Sequence, residues 1–324
     1  MVQISIALCT YNGARFLKEQ LASLVSQNRQ PDELVVCDDH STDSTVALLR
    51  EFAIDAPFPV HIHENPIRLG STKNFEQAIS LCQGDVISLC DQDDIWAKDK
   101  LSFTEQCFLD NTNVSLVFTD ASIVDEKENP LGYNLWATLE FDQASQAKIK
   151  SSAAFELLIQ REIVTGATMS FRTKFRDLIL PIPADIPLIH DGWIALIISL
   201  TGSLDLIDRP LIKYRQHVMQ QIGASRKEPT KTATGFRERA KRRTSFTEHI
   251  RKLEAVRERM ITKKDRYEFK MEREIDQQLK HMYTRVSISQ RKLNGIPAAI
   301  RELFAGRYHR YSSGFYSLIK DLVQ

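Results

Sequence analysis

Three carboxylates stand within four residues at Asp91-Gln92-Asp93-Asp94, at the end of the apolar run Val86-Ile87-Ser88-Leu89-Cys90. Hard oxygen ligands crowded in this way repel one another unless a divalent cation sits between them, and Mg²⁺ or Mn²⁺ then brings phosphate oxygens with it. The plainer reading is an acidic loop capping a helix that begins near Ala97. Three further polar segments follow apolar runs. They are Thr10-Tyr11-Asn12-Gly13, Asp38-Asp39-His40-Ser41-Thr42-Asp43, and Asn65-Pro66-Ile67-Arg68-Leu69-Gly70 with Lys73 and Asn74. A carboxylate beside a ring can accept the imide N–H of a pyrimidine, while hydroxyls and amides satisfy its carbonyls. An arginine and a metal can neutralise a diphosphate. Singly, Asp38-Asp39 could cap a helix and Asn65-Pro66 could turn. Four such segments at corresponding strand ends point to one shared crevice.

The elements that would position these segments alternate along the first 125 residues. Strand-like runs at 4–10, 34–38, 60–63, 86–90 and 114–119 are separated by helical patterns. Leu17, Leu21, Leu24 and Val25 share one face, and Ser41 suits the N-cap of a helix carrying Val46, Leu49 and Phe52. Phe75, Ile79 and Cys82 mark a third helix, Leu101, Phe108 and Leu109 a fourth. This alternation predicts an α/β fold: a mostly parallel sheet flanked by helices, with its ligand crevice at the C-terminal ends of the strands. From 126 to 225 the pattern loosens, until His190-Asp191-Gly192-Trp193 leads into an apolar helix over 194–200. Farther on, Phe246, Ile250, Leu253 and Val256 form one amphipathic stripe. Tyr267, Met271, Ile275, Leu279, Met282 and Val286 form another, in a helix ended by Gly295 and Pro297. The two predict a helical hairpin.

A formal net charge of +1 hides an asymmetry. Residues 1–225 hold 18 Lys and Arg against 30 Asp and Glu, 226–270 hold 16 against 7, and 271–324 hold 9 against 5. We therefore expect a nucleotide-binding and catalytic domain over 1–225 and a basic helical region over 226–324. Nucleic acid is not an expected partner, because between 226 and 266 the aromatics are Phe236 and Phe246. Anionic lipid suits the cluster Arg237, Arg239, Lys241, Arg242 and Arg243 better, with a solvated helix face as the alternative. No stretch approaches the roughly 18 apolar residues of a membrane span, and the chain enters a strand without a signal-like leader. Five cysteines without disulfide or metal spacing read as small core residues of a cytoplasmic protein, which could also sit peripherally on the membrane's inner face.

Taken together, these segments resemble the inverting family 2 glycosyltransferases with the A-type nucleotide-sugar fold. The matching pieces are Ala7 to Gly13, Val35 to Asp43, Asn65 to Asn74, Asp91-Gln92-Asp93-Asp94-Ile95-Trp96 and Tyr214-Arg215-Gln216-His217, in the family's order over two thirds of the chain. The resemblance implies that Asp38 and Thr10 read a pyrimidine base, with Tyr11, Asn12, Asp39, Arg68, Gly70 and Asn74 around the nucleotide and Asp91 at the ribose. It implies Asp93 as ligand to Mn²⁺ or Mg²⁺, with His217 as a further ligand. It implies Asp191 as catalytic base on the acceptor side, beside Gly166 and Thr168, and Asp191 could also cap the helix that follows. Trp193 could stack on a sugar or fill the core. His190 stands where the family usually has a glutamate. The donor would be a UDP- or dTDP-sugar, with bacterial rhamnosyltransferases the nearest type, and the acceptor a glycan or lipid-linked glycan. A sugar nucleotidyltransferase is disfavoured because the loop over residues 10–16 holds a single glycine, Gly13. A non-catalytic nucleotide-sugar binder would not need Asp93, Asp191 and His217 together.

Overall fold

The computed structural model describes residues 2–218, 220, 246–269, 271–312 and 314–323. The described residues fall into two compact units, one before and one after residues 221–245. The expected boundary at 225/226 and the cationic cluster at 237–243 lie outside them.

In the first unit, β1 (Ile4–Thr10) and β2 (Glu33–Asp38) are buried at every position, which suits the centre of a sheet covered on both faces. With β3 (Val60–Glu64) and β4 (Val86–Asp91) they run parallel in the order β3-β2-β1-β4. Register does the positioning. Thr10 pairs with Asp38, and Cys9 pairs with both Cys37 and Asp91, so three polar segments leave the sheet at one level. Helices α1 (Leu17–Val25), α2 (Thr45–Asp55) and α3 (Ser71–Leu81) follow β1, β2 and β3. Leu17, Leu21 and Leu24 of α1 are buried as their spacing predicts, while Val25 stays exposed.

Beyond β4 the sheet is mixed. The short β5 (Ile95–Trp96) precedes α4 (Lys100–Asp110), whose N-cap is Asp99, so the acidic loop does not cap this helix. Strand β6 (Val114–Val124) pairs with β7 (Pro130–Asn134), and three short helices follow, α5 (Leu135–Thr138), α6 (Gln143–Ile149) and α7 (Ala154–Leu158). This long connection frees β8 (Met169–Arg172) from the single-helix crossover, and it enters antiparallel between β4 and β6. After α8 (Arg176–Ile179) and α9 (His190–Ile198), β9 (Ser203–Arg215) runs parallel to β6 with several register shifts. The cysteines are free thiols, four of them buried.

The second unit is helical. Helices α10 (Phe246–Lys263) and α11 (Glu272–Arg291) pair antiparallel, with Gln278 on His249 at 3.1 Å and Arg257 on Asp276 at 2.6 Å. Tyr267 and Met271 precede α11 rather than belonging to it, whereas Ile275, Leu279 and Met282 are buried as expected. Gly295 and Pro297 end one helix and begin another. Pro297 lies in the first turn of α12 (Ile296–Phe304), followed by α13 (Arg307–Tyr311) and α14 (Phe315–Val323). No helix among the described residues is long and apolar enough to cross a membrane.

Burial, with Lys252 and Arg285 nearby, pushes His249 down to about 4. A depressed folded value means that the neutral ring contributes stability above the ordinary 6.5, and that this contribution is lost as pH falls toward 4. We expect roughly 2 kcal/mol of stability to be lost in this unit between about pH 7 and 5. Thermal unfolding of the full chain at both pH values, beside His249→Gln, checks this. Equal pH dependence of the two proteins would contradict it.

Candidate active site

A cleft of about 650 Å³ opens at the C-terminal ends of β1, β2 and β4, against the N-terminus of α9. Asn12 lies on its wall at φ 46°, a left-handed conformation that asparagine tolerates. Its backbone N donates to Ser41 Oγ at 2.8 Å and its Oδ1 accepts from Thr42 N at 2.8 Å, which ties the first loop to the second. Gln92, inside the acidic motif, clamps the first loop from the other side. Its Oε1 accepts from Tyr11 N at 2.8 Å and its Nε2 donates to Tyr11 O at 3.0 Å. A Cβ at Gly13 would fall 2.0 Å from Gln92 Oε1, so a larger residue there would displace this clamp. The Arg68 guanidinium lies 3.9 Å from the Tyr11 ring centroid, a cation–π contact on the cleft wall.

The two aspartates after β2 part ways. Asp38 is 1% exposed and accepts from Thr10 Oγ1 at 2.7 Å, Ser41 Oγ at 2.6 Å and Ser41 N at 2.8 Å. It fastens the two loops from behind. Asp39 is the aspartate on the wall, accepting from Leu69 N at 2.6 Å, Gly70 N at 2.8 Å and Asn65 Nδ2 at 3.1 Å. Gly70, at φ 83°, adopts a backbone that other residues rarely take. Asn74 accepts from Asn65 at 2.9 Å and donates to Cys37 O at 2.8 Å, so the third segment is a cradle for Asp39.

The acidic loop meets the far end of β9. His217 Nε2 lies 2.7 Å from Asp93 Oδ2, although 124 residues separate them in sequence. Arg215, 1% exposed, holds the pair in place. Its guanidinium donates to Asp93 O at 2.9 Å, Glu126 O at 2.9 Å and Glu19 Oε2 at 3.0 Å, and its backbone N to Asp94 Oδ1 at 3.1 Å. Phe16 packs its ring 4.7 Å from the His217 ring. Removal from water, with the charges of Asp93 and Asp191 nearby, pushes Asp91 up to about 8. That crowding of carboxylates is what a cation relieves. Among the described residues no three His, Cys, Asp or Glu side chains form a ready-made metal cage. Mg²⁺ in phosphate-handling sites, however, takes one or two carboxylates and fills its shell from phosphates and water. The Asp93–His217 pair fits a divalent cation held in that way.

On the α9 side, Gly166 N donates to Asp191 Oδ2 at 3.2 Å and Gly192 N to Oδ1 at 2.6 Å, so both oxygens of this 3% exposed carboxylate are oriented. The His190 ring stacks on Phe75, centroids 4.1 Å apart. Gly166 lets all of this close up, because a Cβ there would lie 2.9 Å from His190 Nε2 and 3.5 Å from Asp191 Cβ.

A family model described as glycosyl transferase family 2 matches residues 5–175, more than half of the chain. The chain belongs to glycosyl transferase family 2. It is 29% identical to the dTDP-rhamnosyl transferase RfbG of Shigella flexneri over 67% of this chain and 74% of that one. It is 32% identical to the abequosyltransferase RfbV of Salmonella typhimurium, over 39% of this chain and 36% of that one. The fold is similar to that of S. aureus TarS 1-349 solved in complex with UDP-GlcNAc, with a TM-score of 0.56 at 16% identity over 87% of this chain and 72% of that one.

Within this family 2 glycosyltransferase, one cleft gathers Thr10, Tyr11, Asn12, Asp39, Arg68, Gly70, Asn74, Asp91, Asp93, Gly166, Asp191 and His217. Asp38 lies behind the wall, as described. Trp193 is corrected from a sugar-stacking residue to a core residue. It is 0% exposed and its Nε1 donates to Ile179 O at 2.9 Å, because two residues past Asp191 a side chain points to the far side of the helix. Thr168 is likewise 1% exposed, its hydroxyl bound to Thr165 O at 2.7 Å. Thr165 takes its place on the wall, with a buried hydroxyl that has no protein partner among the described residues. Sequence reasoning named neither Thr165 nor Gln220, which lines the cleft and accepts from His217 N at 3.0 Å.

Proposed function

We propose that this enzyme transfers a hexose or deoxyhexose, with inversion, from a UDP- or dTDP-sugar to a hydroxyl of a glycan or lipid-linked glycan in bacterial surface polysaccharide synthesis. The observation that carries the reading is the 2.7 Å approach of His217 to Asp93 in the cleft that also holds Asp191. Mn²⁺ or Mg²⁺ held by Asp93 and His217 would neutralise charge on the departing diphosphate. Asp191 takes the proton of the acceptor hydroxyl as the new oxygen–carbon bond forms at the anomeric carbon. The bond from that carbon to the diphosphate oxygen breaks, and its electron pair leaves with the nucleoside diphosphate. The similarity to a dTDP-rhamnosyl transferase supports a dTDP-linked deoxyhexose as donor.

Base recognition falls to Asp39, with Tyr11 and Arg68 beside it. Asp39→Asn should weaken UDP or dTDP binding about ten- to a hundred-fold, the cost of one charge-assisted hydrogen bond. Calorimetry with UDP, dTDP and GDP tests both the residue and the reading. Binding of none of them would overturn the assignment of a nucleotide-sugar donor.

Gly166→Ala should lower turnover about a hundred-fold with little change in melting temperature, because displacing His190 and Asp191 by a fraction of an ångström spoils alignment. Turnover equal to wild type would free the position of Asp191 from this turn.

A further inference from the structure

Helices α12 and α14 bury charged and polar side chains while leaving several large apolar ones exposed. Their buried positions include Glu302 on α12 and Ser317 and Asp321 on α14. Their exposed positions include Ile300 and Phe304, one turn apart, and Phe315, Tyr316 and Ile319, with exposures of 47, 87, 58, 68 and 61%. The two helices touch. Their orientation is locked by charge. Glu302 Oε2 lies 2.7 Å from His281 Nδ1, Arg285 makes a two-pronged pair with Asp321 at 2.6 and 2.8 Å, and Tyr308 donates to Asp321 at 2.8 Å. Rotating α14 to hide its apolar stripe would strip buried Arg285 of its carboxylate and leave an uncompensated charge. These apolar side chains are therefore held outward, and large apolar side chains grouped on neighbouring exposed helices mark an interaction surface.

We infer that this face of α12 and α14 docks the protein on an anionic lipid surface, with Phe304, Tyr316 and Ile319 entering the headgroup boundary. Aromatic and aliphatic side chains flanked by cations are the composition of interfacial helices. Here Arg301 and Arg310 are exposed around the stripe. Charge chooses the occupant. Residues 296–324 carry Arg301, Arg307, Arg310 and Lys320 against Glu302 and Asp321, both of them buried, so a second copy would bring like charge against like, whereas anionic headgroups complement it.

The test uses the full chain with phosphatidylcholine vesicles, with and without phosphatidylglycerol, at low and at physiological salt. Wild type should sediment with the anionic vesicles at both salts, since apolar insertion is not screened. The variant Phe304→Ser/Tyr316→Ser/Ile319→Ser, with an unchanged circular dichroism spectrum, should lose at least ten-fold in partitioning. In Phe304→Trp, emission should be quenched by brominated lipid, while the three native tryptophans are buried in the first unit. Wild type remaining in the supernatant, or a triple variant that binds equally, overturns the proposal. So does vesicle binding without quenching at position 304, which would assign the anchor to the cluster at 237–243. A wild-type dimer dissolved by the triple variant would assign the face to self-association instead, and also overturns it. Binding is read without turnover, so the outcome is separate from that of the glycosyl-transfer reading.

Discussion

Asp191→Asn is expected to lower kcat by about 10²–10⁴-fold while leaving donor affinity within about two-fold, the range that loss of a general base produces. Asparagine keeps the shape and one acceptor oxygen for the Gly166 and Gly192 N–H groups, but it cannot take a proton from the acceptor. The split between kcat and KM is the diagnostic, because a merely structural defect would weaken binding too. Steady-state kinetics on donor and acceptor separately would show it. Near wild-type turnover in Asp191→Asn would move the base elsewhere, with His190 the first alternative.

Asp93→Ala is expected to abolish metal-stimulated transfer without unfolding the protein, because the carboxylate stands at the end of the sheet rather than in its core. Asp93 Oδ2 contacts His217, and its backbone O, which the substitution keeps, accepts from Arg215. His217→Ala should weaken the apparent Mn²⁺ affinity, and the double variant should be no worse than Asp93→Ala, since ligands that act as a unit are not additive. Activity against Mn²⁺ concentration, with melting curves as the control, reads all three variants. An unchanged Mn²⁺ response in Asp93→Ala would transfer the ligand role to Asp91 or Asp94.

The parallel half of the sheet was legible because β1, β2 and β4 are near-continuous apolar runs and the polar residues at their ends stand out. Beyond residue 125 that contrast fades. β9 is half-exposed along much of its length and contains Pro210, which sits at a register shift opposite Asp120, where a proline breaks the ladder least. Without β9 the sequence cannot bring His217 to Asp93; the resemblance to a family supplied that pairing. Asp38 and Asp39 are neighbours of one residue type, and only the alternation of side chains at the strand end separates the fastener from the wall. Trp193 shows the same limit on a helix, where two positions decide between cleft and core. The charged pairs that turn α12 and α14 outward link residues 21 and 36 positions apart, a spacing invisible to a periodicity count.

The most direct test of the account is incubation of the full chain with a panel of UDP-, dTDP- and GDP-sugars, a glycan acceptor and Mn²⁺, with mass analysis of the nucleotide and assignment of the product anomer. The account predicts release of UDP or dTDP, transfer that stops when the metal is chelated, and an anomeric configuration opposite to that of the donor. Release of pyrophosphate from a nucleoside triphosphate, retention at the anomeric carbon, or full activity under chelation would contradict it.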